Sequence, residues 1–463
     1  PLRSSTACSA ERHAARDCAD ARPPRPAVTA PLVALALFLV LQLGIGVWIS
    51  RRIATEDDYL VAGRRLGPLL ATFSIFATWF GAETVIGSAG EAFAHGVSLG
   101  SAEPFGYGLC LVLMGLFLAR PLWNLGMTTL ADLYRARFGI RVERLAAVLL
   151  VPASVLWAAA QIRAFGSVVA LVGDVQIESA IGIAALFVIA YTTFGGLLAD
   201  AYTDVIQGIV LAVGLLLLLG ATVGHVGGVS ASFAAIAASD KVNLTPAAAG
   251  PWYLTLEAWA IPVIGSLTTT EVVSRVIAAR SGTVARRASL TAGTLYIALG
   301  LIPIAVALLA TQFIGPLADA EAVLPAVARE LLPPIAFAVF AGGLVSAILS
   351  TVDSTLLVSA GLLTHNLIVP LGKITDERRK LWIARSGVMA FGLVAYLLAL
   401  STSGVLALVE QASALGSTGI VVTVLFGLFT KLGSPRTAGA TPIVGLVSEV
   451  LGVPVGVETP FLA

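Results

Sequence analysis

The feature that most constrains this chain is a succession of apolar segments, each long enough to cross a lipid bilayer as a helix. A spanning helix needs about 20 residues because the hydrocarbon layer is about 30 Å thick. Inside that layer the backbone must satisfy its hydrogen bonds internally, so each segment is predicted to be helical. We place about twelve segments, at residues 32–50, 67–94, 101–123, 144–172, 179–198, 203–224, 253–280, 288–314, 333–369, 382–402, 403–430 and 436–452.

The composition excludes a protein that folds in water. Apolar residues make up 57% of the chain and charged residues 12%, and the mean hydropathy is +0.93, whereas soluble domains carry about 25% charged residues. The formal net charge is only +1, with no basic patch to meet phosphate, so we expect no nucleic-acid partner. Cys8, Cys18 and Cys110 stand at unrelated positions, which favours neither a disulfide framework nor a zinc site. The chain is predicted to be an all-α polytopic membrane protein whose surroundings are the lipid bilayer.

The basic residues are distributed unequally between the two sides of the predicted membrane. Twenty lysines and arginines follow odd-numbered segments, whereas only Lys241 and Arg329 follow even-numbered segments. Because cytoplasmic loops carry the excess of positive charge, the N-terminus is predicted to lie outside, and we expect a multi-pass protein of the plasma membrane. Residues 1–30 are polar and are expected to form a disordered tail. Their arginines oppose this orientation and the chain lacks an initial methionine, which raises the question whether the tail is native.

Two of the predicted segments contain sequences that disfavour a continuous helix. The second segment places Glu83 between Gly81 and Gly87, and the seventh contains Pro262 and Gly265. Proline removes a backbone donor, and glycine lowers the cost of leaving the helix. The two segments lie five apart, so they begin on opposite sides of the membrane. Such pairs of broken helices indicate a transporter site at the midplane, although glycine and proline also simply kink membrane helices.

Three stretches of the chain resemble signatures of a known family. These are residues 58–64 (Asp-Tyr-Leu-Val-Ala-Gly-Arg), residues 195–197 (Gly-Gly-Leu) with 203–207 (Thr-Asp-Val-Ile-Gln), and residues 346–354 (Ser-Ala-Ile-Leu-Ser-Thr-Val-Asp-Ser). In this order they resemble the sodium:solute symporter family, and the likeness extends over roughly residues 55–450.

The resemblance implies the LeuT-type fold, which consists of two inverted five-helix repeats. Here the repeats would be residues 67–224 and 253–430. Residues 31–50 would form an additional first helix, and residues 436–463 an additional C-terminal helix that one more helix could follow.

The resemblance also implies a sodium site between the second and ninth segments. Its ligands would be the carbonyl oxygens of Ala77, Phe80 and Ala347 and the hydroxyl oxygens of Ser350 and Thr351. A small hard cation prefers oxygen ligands. The alternative for the two hydroxyls is hydrogen bonding to carbonyls of their own helix. Sodium is therefore expected as the coupling ion, with no transition metal and no organic cofactor.

Two aspartates are candidates for the ion pathway. Asp204 starts the predicted sixth segment, one turn after Asp200, where a carboxylate either caps the helix or helps the ion to leave. Asp353 lies two residues after Thr351 and has bonding to nearby hydroxyls as its alternative. A proton carried by carboxylates such as Asp204 stays open as the coupling ion.

Polar and aromatic side chains inside the segments are candidates for binding the substrate, because such residues are costly in lipid. Within the family the likeness is greatest to the high-affinity choline carriers, and Trp79 and Trp157 fall where two tryptophans of a quaternary-ammonium cage belong. Thr255 stands where a third would be expected, and packing or interfacial anchoring is the alternative for both tryptophans. The polar candidates are Glu83, Glu103, Gln161, Thr269 and Thr270.

These expectations combine into a secondary active transporter that couples sodium to uptake of a small organic solute by alternating access. The alternatives are a proton-coupled carrier of the same fold and a non-transporting sensor built on it. An enzyme is not expected, because the four histidines lack partners at ligand spacing and no nucleophile or phosphate-binding motif is present. A monomer is expected to suffice. The substrate stays open among quaternary amines, sugars, amino acids and carboxylates.

Overall fold

The computed structural model describes residues 29–173, 175–246, 248, 250–401, 409, 412 and 419–455. Its strands are limited to Val97–Ser98 and Val242–Asn243, which pair in parallel, and helices make up nearly all the rest of the described chain. This confirms the predicted all-α class. Nearly all of the predicted tail, much of the predicted eleventh segment and the last eight residues lie outside the described residues.

The helices follow the predicted segments closely. In chain order they are α1 (Thr29–Ser50), α2 (Glu56–Val61), α3 (Pro68–Trp79), α4 (Ser88–Ala94), α5 (Phe105–Leu113), α6 (Ala119–Asn124), α7 (Ala131–Phe138), α8 (Ile140–Gly173), α9 (Ile177–Val226), α10 (Val229–Ala237), α11 (Trp252–Val263), α12 (Thr270–Ala278), α13 (Gly282–Ala310), α14 (Val323–Leu331), α15 (Pro334–Leu363), α16 (Val369–Leu371), α17 (Glu377–Ser401), α18 (Ile420–Phe429) and α19 (Pro435–Val455).

The number of membrane crossings is only partly confirmed. Among the described residues, seven helices are long and apolar enough to span a bilayer, and two bent pairs raise that number to nine. The predicted fifth and sixth segments are the two helices of α9, which meet at Gly196, where φ is 57° and ψ is 179°. A Cβ on Gly196 would lie 2.6 Å from the ring of Tyr59. The two predicted segments are therefore separate helices, and the break between them lies at Gly196, against Tyr59, rather than after residue 198.

Both predicted helix breaks are present. The axes of α3 and of the helix that runs from Glu83 to Ala94 differ by 57°, and the two parts of the seventh segment differ by 43°. At the first break Phe80 leaves the helical conformation with φ −85° and ψ 68°. At the second, a short 3-10 turn at Gly265–Thr268 leads to Thr269, whose backbone is extended. The local proline and glycine signals therefore located both interruptions.

The predicted ninth segment, α15, is the central element of the described structure. Nearly every side chain from Phe340 to Leu362 is buried. Glycine allows α9 to approach it closely, since a Cβ on Gly343 would lie 2.9 Å from the Cα of Leu211. Small residues at helix crossings of this kind are typical of membrane bundles. The central position of α15 brings its hydroxyl residues against the break that follows α3.

Candidate functional site

Four of the five oxygen atoms predicted to bind sodium converge between α3 and α15. The hydroxyl of Ser350 lies 2.8 Å from the carbonyl oxygen of Ala77 and 3.1 Å from that of Ala347. The hydroxyl of Thr351 lies 3.4 Å and 3.1 Å from the same two oxygens. All four residues are buried. The hydroxyls therefore contact their own helix, as the alternative predicted, and also reach the second segment.

The break after α3 explains why these hydroxyls are needed. In a regular helix the N–H of Gly81 would donate to the carbonyl of Ala77. Here it donates to the oxygen of Trp79 instead, at 3.0 Å. The freed carbonyl of Ala77 then accepts from Ser350 and Thr351. The predicted fifth ligand, Phe80, forms the turn itself.

The residue after Phe80 must be small. A Cβ on Gly81 would lie 2.9 Å from the hydroxyl of Thr351 and 2.6 Å from the carboxylate of Glu83. The turn can therefore pass between these two side chains only with glycine at this position. Because Gly81 lies so close to Thr351, the break is directly beside the ninth segment.

A buried ionic cluster lies next to these oxygens, and the sequence interpretation missed its cation. Arg275 is fully buried, forms a salt bridge with Asp200 and donates to the hydroxyl of Ser354. Arg275 is one of the twenty lysines and arginines assigned above to the loops after odd-numbered segments, and this assignment is wrong, because α12 carries it inside the bundle. The apolar residues that flank it in sequence, Val272, Val276 and Ile277, were a signal that this position is buried.

The two aspartates of the predicted ion pathway both face this cluster. Asp353 accepts a hydrogen bond from Thr192 at 2.6 Å. Asp204 is fully buried, and neither of its carboxylate oxygens accepts a hydrogen bond from a described residue. Asp204 also lies inside α9, beyond the kink at Gly196, so the alternative role as a cap at a helix start is wrong.

A cavity of about 640 Å³ lies between the two broken segments, at the ends where α4 finishes and α11 begins. The predicted substrate residues Glu83 and Glu103 line it, together with Glu91 and Glu257, which the sequence interpretation missed. No lysine, arginine or histidine is found among its described lining residues. Four carboxyl side chains from separate positions therefore line this cavity.

The predicted tryptophan pair lies buried beside the cavity, but it does not form an open cage. The rings of Trp79 and Trp157 stack on each other with centroids 4.9 Å apart. Tyr107, which lines the cavity, meets Trp79 edge to face at 5.7 Å. The tryptophan faces are thus occupied by each other in this conformation. Of these three residues the described lining includes Tyr107, so Tyr107, backed by the stacked tryptophans, forms an aromatic wall of the cavity.

Gln161 braces the first break from the fourth segment. Its amide nitrogen donates to Glu83 at 2.8 Å, and its amide oxygen accepts from the backbone N–H of Ala82 at 3.1 Å. Two predicted substrate residues, Glu83 and Gln161, are therefore in direct contact. Glu103 lies 3.4 Å from the hydroxyl of Tyr296, which also bonds Thr84 of the broken segment.

The two predicted threonines are separate from this cavity. The hydroxyl of Thr269 donates to the carbonyl of Ser266 at 3.0 Å, and that of Thr270 donates to Glu271 at 3.2 Å. Both residues line a second, much smaller pocket together with Trp157. The structure therefore divides the predicted substrate residues between two adjacent places.

The comparisons with known proteins agree with this architecture. The model of the sodium:solute symporter family matches residues 59–445. The chain belongs to this family. A solved Na⁺-coupled sialic acid symporter in an outward-open state superposes with a TM-score of 0.74, at 21% identity, over 91% of this chain and 98% of that chain. This likeness shows that the present chain has the LeuT-type fold.

The relatives with the following names are transporters. The human high affinity choline transporter 1 is 28% identical over 91% of this chain and 76% of its own length. The sodium/glucose cotransporter of Vibrio parahaemolyticus is 24% identical over 90% of this chain and 83% of its own length. The protein is thus a multi-pass membrane transporter that couples sodium to the symport of a small organic solute, and it is not an enzyme.

Proposed function

We propose that this symporter takes up a small organic cation together with sodium. The observation that carries the proposal is the cavity between the broken segments, where Glu83, Glu91, Glu103 and Glu257 meet and no described lining residue is basic. A unit charge ~8 Å from one carboxylate interacts by about 2 kcal/mol at an effective dielectric constant of about 20. Four such carboxylates therefore favour a cation and disfavour an anion.

The aromatic wall supports the same substrate class. Tyr107 lines the cavity and packs against Trp79 and Trp157, and rings attract a desolvated ammonium group by about 2 kcal/mol. The human relative is named for choline, a quaternary ammonium cation, whereas the Vibrio relative is named for glucose. The charge of the cavity favours the first of these chemistries. Glu83, Glu103, Trp79, Trp157 and Gln161 would hold the substrate, and Thr269 and Thr270 would shape the adjoining pocket.

Sodium would bind at the oxygens between α3 and α15, namely those of Ala77, Phe80, Ala347, Ser350 and Thr351. Carbonyl and hydroxyl oxygens suit a small hard cation. They do not take up a proton near neutral pH, which favours sodium over a proton at this position. Asp204 and Asp353 would form part of the route by which the ion leaves.

The positive-inside rule supports a plasma-membrane protein with the N-terminus outside. The cavity is at the opposite end of the bundle from Arg64 and Arg65, so it would face outward, as uptake requires. The inverted repeats would be residues 67–224 and 253–430. Every residue proposed here comes from one chain, so a monomer would suffice, and no step needs an organic cofactor.

The charge of the substrate can be tested with a matched pair of ligands. Choline and its uncharged carbon analogue 3,3-dimethyl-1-butanol have nearly the same shape. We expect purified protein in sodium buffer to be stabilised against heat by choline and not by the analogue, glucose, pantothenate or sialic acid. In potassium buffer the effect of choline should be much smaller.

Glu83→Gln should weaken choline binding about thirtyfold, because it removes about 2 kcal/mol of attraction while preserving the side-chain shape. Glu330→Gln, an exposed position outside the cavity, is the matched control and should bind like the parent. Stronger stabilisation by an anion or a sugar than by choline and other ammonium ions would refute the proposal.

A further inference from the structure

Arg275 joins three helices of the bundle through one guanidinium group. It extends from α12, the second half of the broken seventh segment, to Asp200 on α9 and Ser354 on α15. It also contacts the hydroxyl of the adjacent Ser274 at 3.0 Å. The group has no exposed surface. Any movement of α12 away from α9 and α15 must therefore break buried, charge-assisted hydrogen bonds.

The same cluster contains a second carboxylate with no hydrogen-bond partner. Asp204 follows Asp200 by four residues on α9, which places the two on the same helix face about one turn apart. Neither Asp204 oxygen has a hydrogen-bond donor at bonding distance among the described residues, and the Nε–H of Arg275 has no acceptor there. Asp204 is nevertheless close enough to interact electrostatically with Arg275. A buried carboxyl group without a hydrogen bond is costly, which favours a partner for Asp204 in another state of the protein.

Asp353 is a weaker candidate for that second partner. Thr192 already donates to it at 2.6 Å, and it lies on α15 beside Ser354, which Arg275 contacts in this state. Asp204 accepts no comparably short hydrogen bond, although the hydroxyl of Ser74 on α3 lies beside it. One-turn steps of one element past another are a known form of conformational switching.

We propose that Arg275 exchanges Asp200 for Asp204 during the transport cycle, so that the two aspartates form a latch with two positions. The state seen here would be the first position. In it the end of the bundle that carries Arg64 and Arg65, called the basic end below, is closed, because Leu66 pairs with the chain around Ala279. The N–H of Leu66 donates to the carbonyl of Ala278 at 3.1 Å, and the N–H of Arg280 donates to the carbonyl of Leu66 at 2.9 Å. Opening of this end carries α12 away, and Arg275 then pairs with Asp204.

The latch is connected to the oxygens proposed for sodium. The hydroxyl of Ser354, which Arg275 contacts, donates to the carbonyl of Ser350 at 2.7 Å and lies 3.2 Å from the hydroxyl of Thr78. Ser350 and Thr78 belong to the two helices that meet at those oxygens. A guanidinium that leaves Ser354 therefore changes the hydrogen bonding of both helices. The proposal rests on alternating access by the symporter and is independent of the charge of the substrate.

Cysteine labelling distinguishes the two positions. Ala258→Cys reports on the cavity it lines, and Ala279→Cys reports on the closed basic end, where Ala279 is fully buried. Each is introduced into protein in which Cys8, Cys18 and Cys110 are replaced by alanine, and labelling by a soluble maleimide is timed in nanodiscs without sodium. The quantity measured is the ratio of the Ala279→Cys rate to the Ala258→Cys rate.

Asp200→Asn weakens the first position, so this ratio should rise roughly tenfold to a hundredfold, the range for losing a hydrogen bond to a charged group. Asp204→Asn weakens the second position, so the ratio should fall by a similar factor. Asp240→Asn, an exposed residue outside the cluster, is the matched control and should leave the ratio unchanged.

If the cluster only stabilised the fold, Asp200→Asn and Asp204→Asn would not be expected to shift the labelling ratio in opposite directions. Shifts in the same direction, or an unchanged ratio in Asp204→Asn, would overturn the proposal. So would an Asp200→Asn protein that fails to fold, because Asp204 must be able to take over Arg275. Labelling needs no substrate, so a failed test of cation selectivity leaves this result interpretable.

Discussion

Removal of the hydroxyls of Ser350 and Thr351 tests the proposed sodium site directly. Ser350→Ala and Thr351→Val each delete one oxygen and leave the helix intact. A hydrogen bond to a charged group is worth about 1.5–3 kcal/mol, and we take the same range for one neutral oxygen on sodium. Each single change should therefore raise the half-saturating sodium concentration about 10- to 150-fold.

The double variant should lose more sodium affinity and more stability than the two single changes added together. In each single variant the other hydroxyl still bonds the carbonyl of Ala77, at 2.8 Å or 3.4 Å. In the double variant that buried carbonyl has neither donor, which costs about 1–3 kcal/mol of stability. We therefore expect sodium-stimulated uptake to disappear and the melting temperature to fall, whereas each single variant melts close to the parent.

The assay is sodium-dependent uptake into proteoliposomes, with sodium-dependent thermal stabilisation of purified protein as a second measurement. Ser346→Ala is the matched control. Its hydroxyl is buried on the same helix, one turn earlier, but bonds only the carbonyl of Gly342 at 2.7 Å. The half-saturating sodium concentration should stay within twofold of the parent in this control. The same result in Ser350→Ala and Thr351→Val would show that these oxygens do not bind the ion.

Two further predictions concern stability. A Cβ at Gly293 would lie 2.7 Å from the carbonyl of Gly108, so Gly293→Ala should lower the melting temperature through about 1–3 kcal/mol of overpacking, whereas Gly220→Ala, with no atom within 4 Å, should not. Burial raises the pKa of Asp58, but hydrogen bonds from Thr55 and the charge of Arg65 bring it below its usual value. The resulting stability is present above the usual aspartate pKa of about 4 and is lost as the pH falls; Asp58→Asn should therefore melt lower than the parent near pH 7, and the two curves should converge in acid.

The helix breaks could be predicted from sequence because their causes are local. Pro262 removes a donor from its own turn, and Gly81 lowers the cost of leaving the helix at its own position. The contact between Ser350 and the carbonyl of Ala77, by contrast, joins residues 273 positions apart. Only the family resemblance suggested that contact, because no periodicity within one segment specifies which helix packs against it.

Arg275 could not be placed correctly by a rule that counts basic residues near segment ends. Its position is set by Asp200, which satisfies its charge from another helix. The same limitation applies to Glu91 and Glu257. Both lie near segment ends, where an acid is usually solvated, and only the folded bundle brings them to one cavity. The position of the break at Gly196 was missed for a related reason, since the ring that demands it belongs to Tyr59.

The position of Glu83 bears on how one short break could serve two cations. The turn at Phe80 and Gly81 frees the carbonyl of Ala77 on one side, and Glu83 faces the cavity on the other. Two like charges held across such a turn repel each other, by about 2 kcal/mol at ~8 Å and an effective dielectric constant of about 20. A carboxylate within the turn is attracted to both, so it offsets that repulsion. Because Gln161 holds Glu83 in place at 2.8 Å, this compensation would be present in the break before the sodium ion and the cationic substrate that we propose arrive.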